Sequence, residues 1–165
     1  MGLNMSVEDQ LGRLGEGIVA RLFLLETSGA YRFSCCFLGA KAQLDFLVNL
    51  LDENGTECGP FFFVQVKTTT CVAASGNGIP VRLRAGQVRA AQARKVPVYL
   101  AAVSSVDGDL EEVYAIAIDT ALQRGVSVVP RLFSLRQEET RLMIYNEVHD
   151  YFQSGLKVFK SKLTR

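Results

Sequence analysis

The chain has 165 residues, 48% of them hydrophobic and 21% charged, with a formal net charge of +1. Such a length and composition describe one packed domain that buries its own core, and they exclude a disordered chain. The near-zero charge excludes a globally basic nucleic-acid binder, so any contact with phosphates must come from a local patch.

The opening segment, MGLNMSVEDQ, has no basic stretch followed by an apolar run, and nothing further on reaches the roughly 20 apolar residues of a spanning helix. A cytoplasmic location without a membrane partner is expected. Ser6 to Asp9 carry an N-cap signature, and Leu11, Leu14, Ile18, Leu22 and Leu25 recur at helical spacing until Gly29. Three strands should follow, over 31–37 (YRFSCCF), 42–51 (AQLDFLVNLL) and 61–68 (FFFVQVKT), with Asn54-Gly55 marking a hairpin between the last two. The segment 68–80 reads as a Gly-rich loop, and 81–95 as a short strand and then a helix closed by Pro97. Two more strands, 97–105 and 111–119, bracket the turn signal Asp107-Gly108. From about Leu135 the chain reads as a helical C-terminal extension, with Lys157, Lys160, Lys162 and Arg165 at its end, where cations suit the helix dipole. This order predicts a single α/β domain with a mixed central sheet.

The strand FFFVQVKT raises a chemical question, because a glutamine and a lysine end an otherwise apolar run. Alternation puts Gln65 and Lys67 on one face with Phe61 and Phe63, and Val64 and Val66 on the other. A turn centred near Gly55 pairs residues whose numbers sum to about 110, which sets Asp45 opposite Gln65. A carboxylate, an amide oxygen and an ammonium then converge, with the Val66 carbonyl between the last two. Oxygen ligands of this kind suit Mg²⁺ or Mn²⁺, and a metal-bound water beside a lysine is a nucleophile suited to phosphodiester hydrolysis. An acid inside AQLDFLVNLL is costly to bury unpaired, so Asp45 is expected to be ion-paired, metal-bound or at a strand end. Lys67 has the alternative of snorkelling from the strand end, and Glu16 that of a solvated helix flank.

His149 is the single histidine, which excludes His-based triads and two-histidine metal motifs within the chain. Cys35, Cys36, Cys58 and Cys71 form no CxxC pair and are expected as reduced, buried thiols, with Cys35 and Cys36 on opposite strand faces.

Glu16 in LGEGIVARLFL, Asp45 in AQLDFLV and Gln65-Val66-Lys67 in FFVQVKT, in the order helix, strand, strand, resemble the PD-(D/E)XK nuclease superfamily, and within it small stand-alone domains whose catalytic strand carries Q-x-K. The motif spans 6–70, and with the later strands the likeness covers about three quarters of the chain. The resemblance implies a restriction-endonuclease-like core and a nuclease dependent on Mg²⁺ or Mn²⁺ that hydrolyses DNA. Asp45 would bind the ion, Gln65 and the Val66 carbonyl would complete its protein ligands, Lys67 would position the attacking water, and Glu16 would assist through a water or a second ion. Two positions depart from the pattern: Leu44 stands where the motif has proline, and Gln65 where Asp or Glu is commoner. The missing carboxylate lowers the negative charge of the site, so a second reading is a nuclease-fold module that has lost catalysis and binds nucleic acid or a protein partner. Arg82 and Arg84 would share a strand face and Arg89 would line a groove for phosphates, with an ordinary charged surface as the alternative. No base-reading element stands out, so sequence specificity is not expected. Cutting both strands takes two sites, which leaves room for a homodimer.

Overall fold

The structure, a computed structural model, describes residues 6–39, 42–70, 78–105 and 112–164. Helix α1 (Val7–Phe23) begins where Ser6 and Asp9 cap each other reciprocally, the Ser6 hydroxyl accepting from the Asp9 N–H and the Asp9 carboxylate accepting from the Ser6 N–H. Its buried stripe is Gly15, Ile18, Val19, Ala20, Leu22 and Phe23. Leu14 and Leu25, expected on that stripe, are instead 50% and 44% exposed. Leu25 lies beyond the helix end, and beside Leu14 it is Gly15 that meets the sheet.

The expected strand over 31–37 is split. β1 (Glu26–Thr27) and β2 (Ala30–Tyr31) form a small hairpin through Ser28 and Gly29, whose φ values of 53° and 73° make the turn, and β3 (Phe33–Phe37) follows. β4 (Phe46–Leu51) is shorter than its apolar run, while β5 (Glu57–Thr69) is longer than expected. With β7 (Val98–Ser104) and β8 (Glu112–Ala117) these strands make one sheet in the order β3-β4-β5-β7-β8. All neighbours are antiparallel except β5 and β7, which run parallel. A parallel pair needs a crossover, supplied here by β6 (Gly78–Leu83) and α2 (Ala85–Gln92). β6 stays out of the main sheet and pairs with β9 (Val126–Pro130), a strand that composition did not reveal because VSVVP buries only its first and fourth residues. The described residues thus form a mixed α/β fold with a mixed central sheet and three helices.

Each sheet face has its own core. α1 and α3 (Glu138–Ser154) cover Phe62, Val64, Val66 and Tyr99, while α2 covers Leu44, Val98, Leu100 and Ile116. Every residue of β7 is buried, as a central strand covered on both faces requires. α3 ends at Gly155, whose φ of 64° is left-handed. Lys157, Lys160 and Lys162 therefore lie beyond the helix and cannot serve its dipole, and Arg165 falls outside the described residues. That segment is an extended strap. The Glu147 carboxylate accepts from the Ser161 hydroxyl (2.7 Å), from the Tyr99 hydroxyl (3.0 Å) and from the Lys162 N–H, and Leu163 gives its carbonyl to the Ala117 N–H (2.8 Å). The C-terminal extension is one helix followed by a strap along the edge of β8.

Burial holds for only part of the cysteine expectation. Cys35 is half-buried and burial pushes its thiol up to about 12, whereas Cys36 and Cys58 are exposed. Cys36 faces away from α1 on an edge strand, and Cys58 sits where β5 nears the hairpin loop. Cys71 and the turn Asp107-Gly108 lie outside the described residues. No helix among the described residues is long and apolar enough to cross a membrane.

Candidate active site where two strands part

β4 and β5 pair Phe46 with Val64, Leu47 with Phe63, Val48 with Phe62 and Asn49 with Phe61, the register expected from a turn near Gly55, although a bulge between Asn49 and Leu51 shifts the pairing next to the loop, where Leu51 meets Glu57. Asp45 stands just before β4. Its N–H donates to the Val64 carbonyl and its carbonyl accepts from the Leu38 N–H, both at 2.9 Å, so the backbone is held between β3 and β5. β5 continues past this point without β4, paired only with β7. Because the Phe63 N–H donates to Pro97 and the Thr69 carbonyl accepts from Ser105, the odd-numbered residues of β5 turn their main chain toward β7. Val66 consequently turns its N–H and carbonyl to the side that β4 has left.

Asp45 fills that gap. Its Oδ2 accepts from the Val66 N–H at 2.5 Å and from Gln65 Nε2 at 2.7 Å, and the same Gln65 nitrogen makes a longer contact of 3.4 Å to the Val66 carbonyl. Neither of the two bonds to Asp45 uses Oδ1. Gln65 is only 7% exposed. Burial raises the Asp45 carboxyl above its usual range, opposed by the Val66 N–H, by the Lys67 ammonium and by the Gln65 amide. Glu16 is raised as well, first by burial and then by the charge of Asp45, with Arg13 pulling the other way.

Those two carboxylates line one cleft of about 710 Å³, together with Glu8, Asp9 and Arg13 of α1. A close approach of helix and strand sets the geometry. A Cβ on Gly15 would lie 1.9 Å from Thr68 Oγ1, so only glycine lets α1 sit this near β5 and bring the adjacent Glu16 up to the cleft. Thr68 Oγ1 is itself buried with no hydrogen-bond partner among the described residues. Gly15 and Thr68 are the supporting residues that sequence reasoning missed, and a glycine inside an otherwise apolar helical stripe was the available signal.

The structure thus gathers Glu16, Asp45, Gln65, Val66 and Lys67, though not on one sheet face. Val66 belongs to the core under α1, while Phe63 packs toward α2, and alternation sends Gln65 and Lys67 to that α2 side. Glu16 comes from the α1 side. Asp45 meets both because β4 stops there and leaves no strand to separate the faces. Arg82, Arg84 and Arg89 are all exposed, on β6 and α2, and form no part of the carboxylate cleft. Arg84 is the N-cap residue of α2, its N–H taken by Gln87 Oε1 at 2.9 Å.

The donor set suits a hard divalent cation. Although four acids line the cleft, among the described residues no three His, Cys, Asp or Glu side chains are grouped closely enough to hold a metal ion by themselves. Two carboxylates, the Val66 carbonyl and the Gln65 amide leave the remaining positions to water, which is how Mg²⁺ is commonly held. Gln65 faces Asp45 with its nitrogen, and a half-turn of the amide would exchange that hydrogen bond for an oxygen ligand. Burial disfavours the ionised form of both carboxylates, and the charge of Asp45 adds to the cost at Glu16, so a cation bound in the cleft would stabilise both. No protein-family model, no curated protein and no solved structure matches the chain.

Proposed function

We propose that this chain is a Mg²⁺- or Mn²⁺-dependent nuclease with a restriction-endonuclease-like core of the PD-(D/E)XK type, hydrolysing phosphodiester bonds in DNA. The observation that carries the reading is the pinning of Asp45 by Gln65 and by the Val66 main chain, opposite Glu16 and within the field of Lys67. Asp45, Glu16, the Val66 carbonyl and the Gln65 oxygen would hold the ion. A divalent cation in such a place supplies charge neutralisation at the phosphate and a water of lowered pKa. The chain's own residues do the rest. The Val66 N–H fixes the Asp45 carboxylate through the main chain of β5, and that bond stays in place when the Gln65 amide turns its oxygen to the ion. Lys67 orients the attacking water and offsets the charge that grows on the phosphate oxygens. Arg82, Arg84 and Arg89 contact backbone phosphates on either side of the cut and carry no sequence information.

The test is cleavage of plasmid and single-stranded DNA with Mn²⁺ or Mg²⁺, beside Asp45→Asn and Lys67→Ala. Metal-dependent cutting abolished in both variants supports the nuclease, and equal cutting by all three proteins rejects it. One observation favours a second reading, that of a non-catalytic module binding nucleic acid or a protein. Gln65 Nε2 already neutralises part of the Asp45 charge through its hydrogen bond, the place a metal would take. On that reading Mn²⁺ adds no thermal stability that depends on Asp45.

A further inference from the structure

Behind Gln65, on the α2 side of the sheet, lies a second pocket of about 240 Å³. Its walls include Leu44, Leu83 and Ala90, and three glutamines, Gln43, Gln65 and Gln87, are among the residues that line it. Among the described residues no acidic one lines it, whereas the α1-side cleft is lined by Glu8, Asp9, Glu16 and Asp45. Arg94, also at its edge, sets its guanidinium over the Phe63 ring at 5.4 Å from the centroid. The volume falls below the roughly 300–1,000 Å³ typical of pockets for drug-sized ligands, and so suits a single planar heterocycle.

The chemistry of the lining narrows the occupant. Apolar walls take the faces of a flat ring, and a carboxamide offers an in-plane donor beside an acceptor, the pattern that reads nucleobase edges. Gln87 commits its Oε1 to the Arg84 N–H, so its amide nitrogen is the group left to face a ligand. Gln65 commits Nε2 to Asp45, so the wall of the pocket and the brace of the candidate metal site are one side chain. Arg84 and Arg89, exposed at the same helix, are placed for the phosphates of a strand whose base is inserted. A base stacked in a duplex shows only its edges, and a pocket closed by a sheet and a helix accepts the ring only after it has left the stack.

We infer that this pocket takes one nucleobase of the substrate strand, which makes the substrate class single-stranded or frayed-end DNA rather than an intact duplex. The inference rests on the nuclease reading for its substrate and specifies which nucleic acid that site is presented with. Insertion of the base seats the neighbouring phosphate one side chain away from Asp45.

The experiment is fluorescence anisotropy of labelled single-stranded and duplex oligonucleotides of equal length in EDTA, with the wild type and Ala90→Leu. Leucine occupies the pocket and keeps the helix propensity of α2 close to that of alanine. The wild type should bind the single strand about tenfold tighter than the duplex, a factor in keeping with one seated base, and the variant should bind both alike. Equal binding of the two DNAs by the wild type, or an unchanged preference in Ala90→Leu, overturns the inference. If Ala90→Leu does not fold, Gln43→Ala at the exposed rim takes its place and should lower single-strand affinity about threefold or more while leaving duplex binding as it was. Since binding is read without metal, a single-strand preference that these variants remove supports the pocket even where the wild type cuts nothing. In that event only the nuclease reading falls.

Discussion

Replacing Asp45 separates the structural work of its carboxylate from its proposed chemistry. Oδ2 accepts both the Val66 N–H at 2.5 Å and the Gln65 amide at 2.7 Å. Alanine leaves two donors stranded, each at a residue only 7% exposed, and a stranded buried donor costs about 1–3 kcal/mol. Removing a carboxylate that burial disfavours offsets part of this. A net loss of about 2–4 kcal/mol is expected, which for a chain of this length lowers the melting temperature by roughly 4–16 °C. Asparagine keeps an acceptor oxygen and removes the charge, so Asp45→Asn should stay within about 1 kcal/mol of the wild type in EDTA. The sign follows from linkage. An acid whose folded pKa is raised destabilises the fold as pH climbs from its unfolded pKa to its folded one, so any advantage of Asp45→Asn grows across that window and vanishes in acid. Mn²⁺ at a hundred times its dissociation constant should add about 2.7 kcal/mol to the wild type and nothing to either variant. Thermal denaturation in EDTA and in Mn²⁺ reads all of these. Asp45→Ala as stable as Asp45→Asn would refute the hydrogen-bond argument, and Asp45→Asn stabilised by Mn²⁺ like the wild type would refute the assignment of Asp45 as ligand.

Lys67→Ala should lower cleavage by about a hundredfold or more while Mn²⁺ still raises the melting temperature, because the ammonium acts on the reacting phosphate and not on the ion. Gly12→Ala and Gly17→Ala, where a Cβ meets nothing within 4 Å, should each stabilise by up to about 1 kcal/mol in denaturant titration. Gly15→Ala should instead destabilise by about 1–2 kcal/mol through its overlap with Thr68 and weaken Mn²⁺ binding by displacing Glu16, and Thr68→Ala in that background should restore part of both. Iodoacetamide at pH 8 followed by peptide mapping should modify Cys36 and Cys58 within minutes and spare Cys35 until the protein unfolds, given a Cys35 thiol at about 12.

The legible parts of the sequence were those governed by short-range rules. Ser6 and Asp9 announced the start of α1, and a turn near Gly55 with alternation pointed to the register in which Asp45 meets Gln65, the one that buries Phe46, Val48, Phe62 and Val64; the bulge between Asn49 and Leu51 that shifts the register next to the loop had no signal in the sequence. What stayed hidden depends on contacts between distant segments. β9 exists because β6 needs a partner, and the strap over β8 exists because Glu147 and Asp119 supply acceptors for Ser161 and Lys162 from 14 to 42 residues away. The lysines of that strap looked like a helix terminus by composition alone. The role of Gly15 was hidden for the same reason, since it depends on Thr68, a residue on another element.

The glutamine that departs from the commoner carboxylate has a physical role in the fold. A third acid at position 65 would place a carboxylate where Gln65 Nε2 now donates to Asp45 at 2.7 Å, with Glu16 already raising the cost of charge nearby. Like charges at that distance push one group to protonate, so Gln65→Glu should lower metal-free stability by about 1–3 kcal/mol at neutral pH. The same change adds a hard oxygen ligand and a negative charge, which favour a divalent ion. Gln65→Glu should therefore melt below the wild type in EDTA and bind Mn²⁺ more tightly, with the two melting curves converging as Mn²⁺ is raised. A variant equal to the wild type in EDTA would mean that the amide is not bracing Asp45. A variant with no gain in Mn²⁺ affinity would mean that position 65 lies outside the ligand set, leaving Asp45, Glu16 and the Val66 carbonyl to hold the ion.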